Sequence, residues 1–488
     1  MNQIRKGRLY IDGRIRDAGD GRSYDNIGPW TGEVIGSAAD ATSGDVDEAI
    51  AAARRAFDDS DWSVQHSARM ELMSNFHDKL REHRDELIQI ARLEAGASLG
   101  TAFSAQVDGA LAGAADLLDA FESLRWEEDR GIRTEYGFDT RRFVRREAAG
   151  VVGAITPWNV PLYINIGKCF GALLAGCTVV LKPAPDTPVM GSFMGELAAE
   201  VGMPAGVFNV VTSSDPAMAG EMLTRDPRVD LISFTGSTAV GKRIMEAGAA
   251  TLKRIFLELG GKSAFIVLED APGFEHIVAG AMLVFHAGQG CAAPTRLLVP
   301  KSRYAEAIEI LQAAYGAYDS QWGNFDDPSC LMGPVISQRQ LNRVLNYIEI
   351  GRQEGARLLA GGHARPDKGS GFFVEPTCFV DVDNSMRIAQ EEIFGPVLSV
   401  IPFDDDEDAI RIANDSLYGL GGYVFGSMER AMAIAGRIRA GAICVNGGLS
   451  IAGDLPFGGY KQSGVGREWG REGIEEFTEL KAVGIRVS

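Results

Sequence analysis

The chain has 488 residues, of which 45% are hydrophobic and 23% charged, as expected for a globular protein large enough for two or three domains. Its 48 basic and 66 acidic side chains give a formal net charge of −18, which disfavours binding to nucleic acid or to an anionic membrane surface. The six cysteines form no CxxC motif and no cluster with histidine, so we expect a reducing, cytoplasmic environment and no metal site.

The N-terminal segment MNQIRKGRLYIDGR lacks the apolar core of a signal peptide and is typical of a strand. Residues 44–125 are predicted to be mostly helical, because DVDEAIAAARRAF places an Asp cap before apolar residues at helical spacing. The segment GIRTEYGFDTRRFVRREA, 131–148, alternates as an exposed hairpin does. The longest apolar region, 150–181, is interrupted by Pro157, Pro161 and Lys168, so it does not predict a membrane span.

From Gly150 onward, β-branched runs such as GVVGAI, TVVLKP and VFNVVT alternate with helical segments. This rhythm predicts an α/β fold with a parallel, doubly wound sheet. It restarts after ELGGK, where SAFIVLED, a helix before Cys291, and TRLLVP begin a second α/β unit that ends near residue 455. The hairpin and the strand-like tail TELKAVGIRVS, 478–488, have no sheet of their own, so we expect them to pair with each other or with another subunit.

Two motifs lie at predicted strand ends. In FTGSTAVGK, 234–242, backbone N–H groups at a helix N-terminus could hold a phosphate. The spacing of Gly236 and Gly241 is not that of GxGxxG, however, and a packing turn is equally consistent with it. In LELGGKSAF, 257–265, Glu258 is either a general base held by a rigid glycine turn or a solvated strand end.

Three further segments contain reactive or polar side chains. Cys291 in HAGQGCAAPTRLLVP, 286–300, has small neighbours that would let a substrate reach a nucleophilic thiolate, although most single cysteines are structural. His286 fits a packing role better than a Cys–His dyad. Asn159 in TPWNVP could donate to an oxyanion or satisfy buried backbone groups. The segment EEIFGPV, 391–397, could equally be a charged loop.

Taken together and in this order, these segments resemble the motifs of the aldehyde dehydrogenase superfamily. The matching segments are PWN (157–159), Lys182 in LKPAPDTP, FTGSTAVG (234–241), ELGGK (258–262), GQGC (288–291), EEIFGP (391–396) and PFGGYKQSGVGRE (456–468). The resemblance implies a Rossmann-like, parallel-sheet cofactor domain (1–127 and 148–257) and a second α/β catalytic domain (258–455). It also implies a small β element for oligomerisation (128–147 and 456–488), and hence a homodimer or homotetramer.

The resemblance also implies a reaction: NAD(P)-dependent oxidation of an aldehyde to a carboxylic acid, through a thiohemiacetal and a thioester on Cys291. Asn159 would hold the oxyanion, Glu258 would activate water, and Lys168 would support both. The presence of this glutamate favours water over coenzyme A as the acyl acceptor. The implied cofactor-binding residues are Thr156, Pro157, Trp158, Lys182, Gly236, Ser237, Gly241, Leu259, Glu392 and Phe394.

The sequence departs from the family pattern next to Lys182. Many NAD-preferring relatives have a glutamate three residues after this lysine, where it binds the adenosine ribose, but here the residue is Pro185. Proline cannot hydrogen-bond through its side chain or its nitrogen. Because Asp186 is acidic and no arginine is near in sequence, we expect NAD as the cofactor, with NADP use possible.

The residues that line the substrate tunnel in relatives are mostly apolar here. They are Val160, Tyr163, Ile164, Gly167, Phe285, Gly290, Ala292, Leu449, Ile451 and Phe457. Because Gly167 stands where many relatives have a bulky aromatic residue, we expect a roomier tunnel. This composition predicts an uncharged hydrophobic aldehyde, either aromatic, terpenoid or medium-to-long aliphatic. The alternatives are an esterase-like hydrolase with the same Cys/Glu site and a non-catalytic binding protein.

Overall fold

The computed structural model describes residues 3–282, 284–318 and 321–487. The α-helices are α1 Ser43–Asp59, α2 His66–Glu82, α3 Arg84–Glu94, α4 Leu99–Thr101, α5 Gly109–Glu122, α6 Pro161–Ala175, α7 Pro188–Glu200, α8 Pro216–Arg225, α9 Thr238–Gly248, α10 Phe274–Ala279, α11 Tyr304–Ala317, α12 Gln338–Gln353, α13 Arg387–Gln390, α14 Asp406–Asn414, α15 Met428–Ala435 and α16 Gly470–Glu475. A π-helix, Ala102–Asp108, precedes α5. Short 3₁₀ turns cover Ala249–Thr251, Phe285–Gly288, Lys301–Arg303 and Pro366–Lys368.

The β-strands are β1 Leu9–Ile11, β2 Arg14–Arg16, β3 Ser23–Ile27, β4 Val34–Ala39, β5 Glu127–Glu135, β6 Phe138–Ala148, β7 Val151–Ile155, β8 Thr178–Lys182, β9 Phe208–Val210, β10 Leu231–Thr235, β11 Arg254–Glu258, β12 Ala264–Val267, β13 Arg296–Pro300, β14 Arg357–Ala360, β15 Thr377–Val380, β16 Val397–Phe403, β17 Tyr418–Gly419, β18 Gly421–Phe425, β19 Ala442–Val445, β20 Tyr460–Lys461, β21 Gly464–Val465 and β22 Thr478–Arg486. Two small antiparallel pairs, β3–β4 and β17–β20, lie outside the larger sheets.

The first large sheet brings the N-terminal motifs to one edge. Its order is β2-β1-β9-β8-β7-β10-β11-β21, and the strands from β9 to β11 are parallel. Lys182, Thr235 and Glu258 are the last residues of β8, β10 and β11. Because the carboxyl ends of parallel strands share one edge of a sheet, these side chains lie along a common crevice, as in other doubly wound folds. The predicted α/β class is confirmed.

Helix α6 is buried along almost its whole length. It begins with Pro161 at its first turn and ends at Gly176, whose φ of 95° is in the left-handed region that glycine tolerates. Its side chains pack on the first sheet, on α2 and α5, and on the C-terminal helix α16. The helix therefore joins the first sheet to the C-terminal segment directly beneath the motif TPWN.

The second large sheet has the order β14-β15-β16-β13-β12-β18-β19 and is parallel except for the pair β14–β15. The chain passes from the first sheet to the second through the ELGGK loop between β11 and β12. The buried strands β12, β13 and β16 consist largely of Ala, Val, Leu, Ile and Phe, as expected for strands covered on both faces.

The predicted hairpin forms a third sheet with the C-terminal strand. Strands β5 and β6 are antiparallel, and β22 pairs along β6 from Thr478 opposite Ala148 to Arg486 opposite Thr140. The prediction grouped all of 456–488 with this element, but β21 pairs with β11 and so belongs to the first sheet. The C-terminal segment therefore connects two sheets.

The predicted helix before Cys291 is wrong beyond its first turns. Helix α10 ends at Ala279, and the 3₁₀ turn Phe285–Gly288 contains His286 and Ala287 with φ values of 46° and 51°. Glycine weakens a helix by about 1 kcal/mol per residue relative to alanine, and this segment contains Gly280, Gly288 and Gly290. The nucleophile therefore follows an irregular loop.

Within the described ranges, no helix has the length and apolar character needed to cross a bilayer. In the same part of the chain, no three His, Cys, Asp or Glu side chains meet in a group that could hold a metal ion.

Candidate active site

Cys291 opens onto a cavity of about 410 Å³ at the edge of the first sheet. Burial raises the pKa of the Cys291 thiol to about 12, and Glu258 and Glu392 add to this effect. The cavity lies beside α12 and the segment 392–394. Its lining residues are Pro157, Trp158, Asn159, Thr235, Gly236, Ser237, Leu259, Gly260, Cys291, Arg339, Gln340, Arg343, Glu392 and Phe394.

Asn159 is buried in the same cavity wall as Cys291 and is held at both ends. Its side-chain Nδ2 donates to the backbone carbonyl of Gln289 at 3.0 Å, and its backbone carbonyl accepts from Gln106 Nε2 at 2.7 Å. An amide nitrogen carries two hydrogens, so the bond to Gln289 orients the group and leaves one hydrogen for another acceptor. An oxygen bound to the carbon that Cys291 attacks is such an acceptor.

Glu258 is buried at the end of β11 and is 2% exposed. Neither of its carboxylate oxygens has a hydrogen-bond partner among the described residues. Burial raises the pKa of Glu258 well above its usual value, Glu468 raises it further, and Lys168 and Arg467 lower it. A Cβ at Gly458 would lie 2.7 Å from Glu258 Oε1, so glycine at this position leaves room for the carboxylate. Such an unsatisfied buried group with a raised pKa is typical of a general base.

A buried ion pair that the sequence analysis missed lies beside Glu258. Lys168 Nζ contacts Glu468 Oε1 at 2.6 Å, with side-chain exposures of 0% and 4%, and donates to Ser233 Oγ at 3.1 Å. The resemblance implied that Lys168 supports Asn159 and Glu258. In the structure its hydrogen bonds go to Glu468 and Ser233, and its charge acts on the neighbouring Glu258. The motif PFGGYKQSGVGRE contained Glu468, but its spacing gave no sign of the partner 300 residues away.

The cavity wall at Glu392 and Phe394 fits a nicotinamide nucleoside. Glu392 Oε1 accepts from the Gly261 N–H at 2.9 Å, and a Cβ at Gly260 would lie 2.5 Å from Glu392 Oε2. The rings of Trp158 and Phe394 meet edge to face with centroids 5.3 Å apart. A carboxylate held by a side-chain-free loop can accept hydrogen bonds from ribose hydroxyls, and the two rings form an apolar wall beside it.

The strand ends also offer donors for phosphate. Ser237 caps α9 by accepting from the Val240 N–H at 3.4 Å, and the N-terminus of this helix opens onto the cavity. The hydroxyls of Thr156 and Thr235 are buried without a partner in the described part of the chain. These groups fit the polar atoms of a dinucleotide.

Lys182 lies at the end of β8 and is buried. Burial lowers the pKa of Lys182 to about 8, while Asp186 and Asp215 oppose this shift. Burial also raises the pKa of the neighbouring Asp186 carboxyl, which Arg339 of α12 approaches at 3.8 Å. No arginine was near Lys182 in sequence, but the fold brings Arg339 close to the adjacent carboxylate of Asp186.

The structure brings most of the predicted cofactor residues together. Those that line the cavity are Pro157, Trp158, Gly236, Ser237, Leu259, Glu392 and Phe394. Gly241 instead lets α9 pack on Leu259, since its Cβ would lie 2.6 Å from a Leu259 methyl group. The residues that sequence reasoning missed are Thr235, Gly260, Arg339, Gln340 and Arg343. The last three lie on α12, which carries no recognisable motif.

The predicted tunnel residues divide by exposure. Ile164, Gly167, Ala292 and Phe457 are buried, and Val160, Tyr163 and Gly290 are half-buried. Phe285, Leu449 and Ile451 are exposed in the single chain.

The predicted extra room at Gly167 is absent. A Cβ at this position would lie 3.0 Å from the indole of Trp469, so that ring fills the space, and the expectation of a roomier tunnel here is wrong.

Comparison with known proteins agrees with this site. A family model described as "Aldehyde dehydrogenase family" matches residues 15–483. The chain is 44% identical over 486 residues to 3-succinoylsemialdehyde-pyridine dehydrogenase from Pseudomonas sp, covering 97% of this chain and 98% of the relative.

Solved structures of similar proteins share the whole fold. Aldehyde dehydrogenase C from Pseudomonas syringae, crystallised as a mutant with NAD+ and octanal, superposes with a TM-score of 0.92 at 38% identity and covers 99% of this chain and 98% of that one. Betaine aldehyde dehydrogenase from Staphylococcus aureus with NAD+ gives a TM-score of 0.93 at 36% identity, with coverage of 98% and 94%.

Proposed function

The chain belongs to the aldehyde dehydrogenase family, and we propose that it uses NAD to oxidise an aldehyde with an apolar body to the carboxylic acid. One observation supports this most directly. Cys291 shares a cavity wall with an oriented amide, Asn159, and lies near a buried carboxylate, Glu258, that has no hydrogen-bond partner among the described residues, at a cavity whose walls suit a dinucleotide. An esterase-like hydrolase would need the cysteine and the carboxylate but not that cavity.

In the first half-reaction, Cys291 Sγ bonds to the aldehyde carbon after its thiol loses its proton. The carbonyl oxygen becomes an oxyanion, which accepts from the remaining Asn159 amide hydrogen and from the Cys291 N–H. When bound, NAD+ supplies the acceptor for the hydride that leaves this carbon. The carbon is thereby oxidised, and Cys291 carries a thioester.

In the second half-reaction, Glu258 takes a proton from water, and the water oxygen bonds to the thioester carbon. The carbon–sulfur bond then breaks, the acid leaves, and the Cys291 thiol is restored. Because the Glu258 carboxylate has no hydrogen-bond partner among the described residues, it is available to a water molecule. This availability supports hydrolysis rather than acyl transfer to coenzyme A.

The charges near Lys182 support NAD over NADP. Lys182 lies near two carboxylates, Asp186 and Asp215, and a 2′-phosphate at this position would be repelled by them. The glutamate replaced by Pro185 is therefore compensated in charge by its neighbour Asp186. Arg339 approaches the same carboxylate and would permit slower use of NADP.

The apolar side chains of the tunnel residues support an uncharged aromatic, terpenoid or medium-to-long aliphatic aldehyde. Ala292 and Phe457 belong to the buried hydrophobic cluster against which Cys291 packs, and Ile164 is buried as well. Octanal, the aldehyde bound in the Pseudomonas syringae structure, is of this kind.

The test is the formation of reduced nicotinamide with NAD or NADP and a panel of benzaldehyde, citral, octanal, succinic semialdehyde and betaine aldehyde. We expect turnover of the apolar aldehydes with NAD and its loss in Cys291→Ala. In Glu258→Gln we expect one turnover of reduced nicotinamide per site, followed by a steady rate lower by about 100-fold or more. A preference for succinic semialdehyde or betaine aldehyde would refute the substrate assignment, and equal turnover without any nicotinamide would favour the esterase.

We further propose that the first sheet with its helices is the cofactor domain, that the second sheet is the catalytic domain, and that the β5–β6–β22 sheet mediates self-association. Strand β5 supports this role, because it is an exposed edge and such edges recruit further strands. A chain that stays monomeric by light scattering at micromolar concentration would contradict self-association.

A further inference from the structure

Trp469 occupies a slot between two helices that present glycine to it. It is 1% exposed and lies directly before α16. A Cβ at Gly113 of α5 would lie 2.6 Å from its six-membered ring, and a Cβ at Gly167 of α6 would lie 3.0 Å from its indole. A side chain at Gly113 would collide with the ring, and one at Gly167 would press against it tightly enough that the ring would have to shift slightly. The two glycines and the tryptophan are therefore one packing unit.

Tyr163 is the aromatic neighbour of this packing unit. The rings of Tyr163 and Trp469 have centroids 4.4 Å apart at an interplanar angle of 40°. The Tyr163 hydroxyl is buried without a hydrogen-bond partner in the described ranges. Tyr163 and Cys291 pack against the same hydrophobic cluster, which includes Trp469. Cys291 is also among the groups whose charge raises the pKa of Tyr163, so the Tyr163 end of the aromatic pair lies near the nucleophile.

The backbone around Trp469 is fixed by the same contacts that hold the buried ion pair. Its neighbour Glu468 contacts Lys168, the residue after Gly167. Glu468 also exchanges two backbone hydrogen bonds of 2.7 Å with Phe457. The backbone at Trp469 has a φ of 65°, which is uncommon for a residue other than glycine and persists only where the surroundings impose it. The ring is thus a fixed wall.

Whether this aromatic wall contacts the cofactor or the aldehyde depends on the side of Cys291 on which it lies. The cofactor cavity occupies one side of Cys291, and its lining contains neither Tyr163 nor Trp469. Because the aldehyde carbon must lie between the thiol and the hydride acceptor, the body of the aldehyde extends to the other side, along the first turn of α6. Tyr163 is on that turn.

We propose that Trp469, backed by Gly113 and Gly167, is the specificity-determining wall of the aldehyde tunnel. This inference rests on the proposed function of Cys291. The ring supplies from the C-terminal segment the bulk that α6 lacks at Gly167, and with the tilted ring of Tyr163 it forms a continuous aromatic surface. The tunnel therefore accepts straight-chain, methyl-branched or single-ring aldehydes and excludes fused-ring ones.

The experiment measures kcat/KM for benzaldehyde and 1-naphthaldehyde in the wild type, Trp469→Phe and Trp469→Ala. Opening a pocket by several methylene-sized groups changes discrimination by about tenfold or more, so the naphthaldehyde-to-benzaldehyde ratio should rise about tenfold in Trp469→Ala and less in Trp469→Phe. Gly167→Ala is the matched variant. By itself it should lower the melting temperature of the protein, and the same substitution should lower it less when Trp469 is already alanine.

The outcomes separate the two ideas. If the wild type oxidises benzaldehyde and the ratio is unchanged in folded Trp469 variants, the inference is overturned while the proposed function stands. If the wild type oxidises no aldehyde, the proposed function fails. The wall is then tested by the rates at which N-ethylmaleimide and the larger N-(1-pyrenyl)maleimide alkylate Cys291. Preferential acceleration of the pyrenyl reagent in Trp469→Phe or Trp469→Ala supports the wall, and equal acceleration refutes it. If Trp469→Ala does not fold, Trp469→Phe decides.

Discussion

Substitutions of Lys168 and Glu468, the buried ion pair near the general base, should shift the pH dependence of hydrolysis in opposite directions. Glu468 raises the pKa of Glu258, whereas Lys168 lowers it. Glu258 must be ionised to take a proton from water, so the deacylation rate falls as pH drops through its pKa. Glu468→Gln should therefore move this acid limb to lower pH, and Lys168→Met should move it to higher pH.

The size of both effects follows from the geometry. The two charged atoms are 2.6 Å apart and almost fully shielded from solvent. Both charges act on Glu258, and a nearby charge moves a pKa by about 1–3 units, so we expect the two acid limbs to be separated by about 1 pH unit or more. Each pH unit between them corresponds to about 1.4 kcal/mol of interaction with Glu258. Each single variant should also lose about 3–5 kcal/mol of stability, since it leaves a buried charge or polar group without its partner.

The assay is the pH dependence of the steady rate that follows the first burst of reduced nicotinamide, because this rate reports hydrolysis of the thioester. The double variant Lys168→Met/Glu468→Leu is the control for folding, since replacing both partners by apolar residues often restores stability. Its acid limb should lie between those of the single variants. Limbs that move in the same direction, or that coincide with the wild type in folded variants, would refute this electrostatic account.

Three further predictions concern Cys291, Gly458 and Asp186. The pKa of Cys291 is raised to about 12, so its alkylation by iodoacetamide without cofactor should keep accelerating above pH 9; a plateau there would contradict the shift. Gly458→Ala brings a Cβ to 2.7 Å from Glu258 Oε1 and should slow hydrolysis about tenfold or more, seen as a lower steady rate after an intact burst. Asp186→Asn should raise kcat/KM for NADP relative to NAD about tenfold, or about 1.4 kcal/mol, and an unchanged ratio would mean that its charge does not face the ribose.

The sequence predicted those features of the site that depend on local motifs. Glu258 ends β11 and is followed by glycines, and Asn159 follows β7, which is separated from β11 by one strand of the same parallel sheet, so the sheet places both near the same edge. Cys291 was found from its small neighbours and from the family resemblance. Their common location could be predicted because each residue is positioned by the element next to it in sequence.

Features that depend on distant contacts could not be predicted. Glu468 and Lys168 are 300 residues apart, and Arg339 reaches Asp186 from a helix without any motif. The helix expected before Cys291 failed for a different reason. Its apolar spacing was adequate, but glycines weakened it, and His286 and Ala287 adopt left-handed backbone angles that a helix does not contain.

Gly167 shows why a missing side chain in a sequence does not imply a missing volume in the fold. Compared with the family pattern, glycine on α6 suggested empty space beside the substrate. A core packs to nearly constant density, however, so volume lost on one element is recovered on another. Here Trp469 recovers it from 302 residues further along the chain, and Gly113 must also lack a side chain for the ring to enter. The packing beside Gly167 is thus a property of three residues on three segments, and a change at any one of them is felt at the other two.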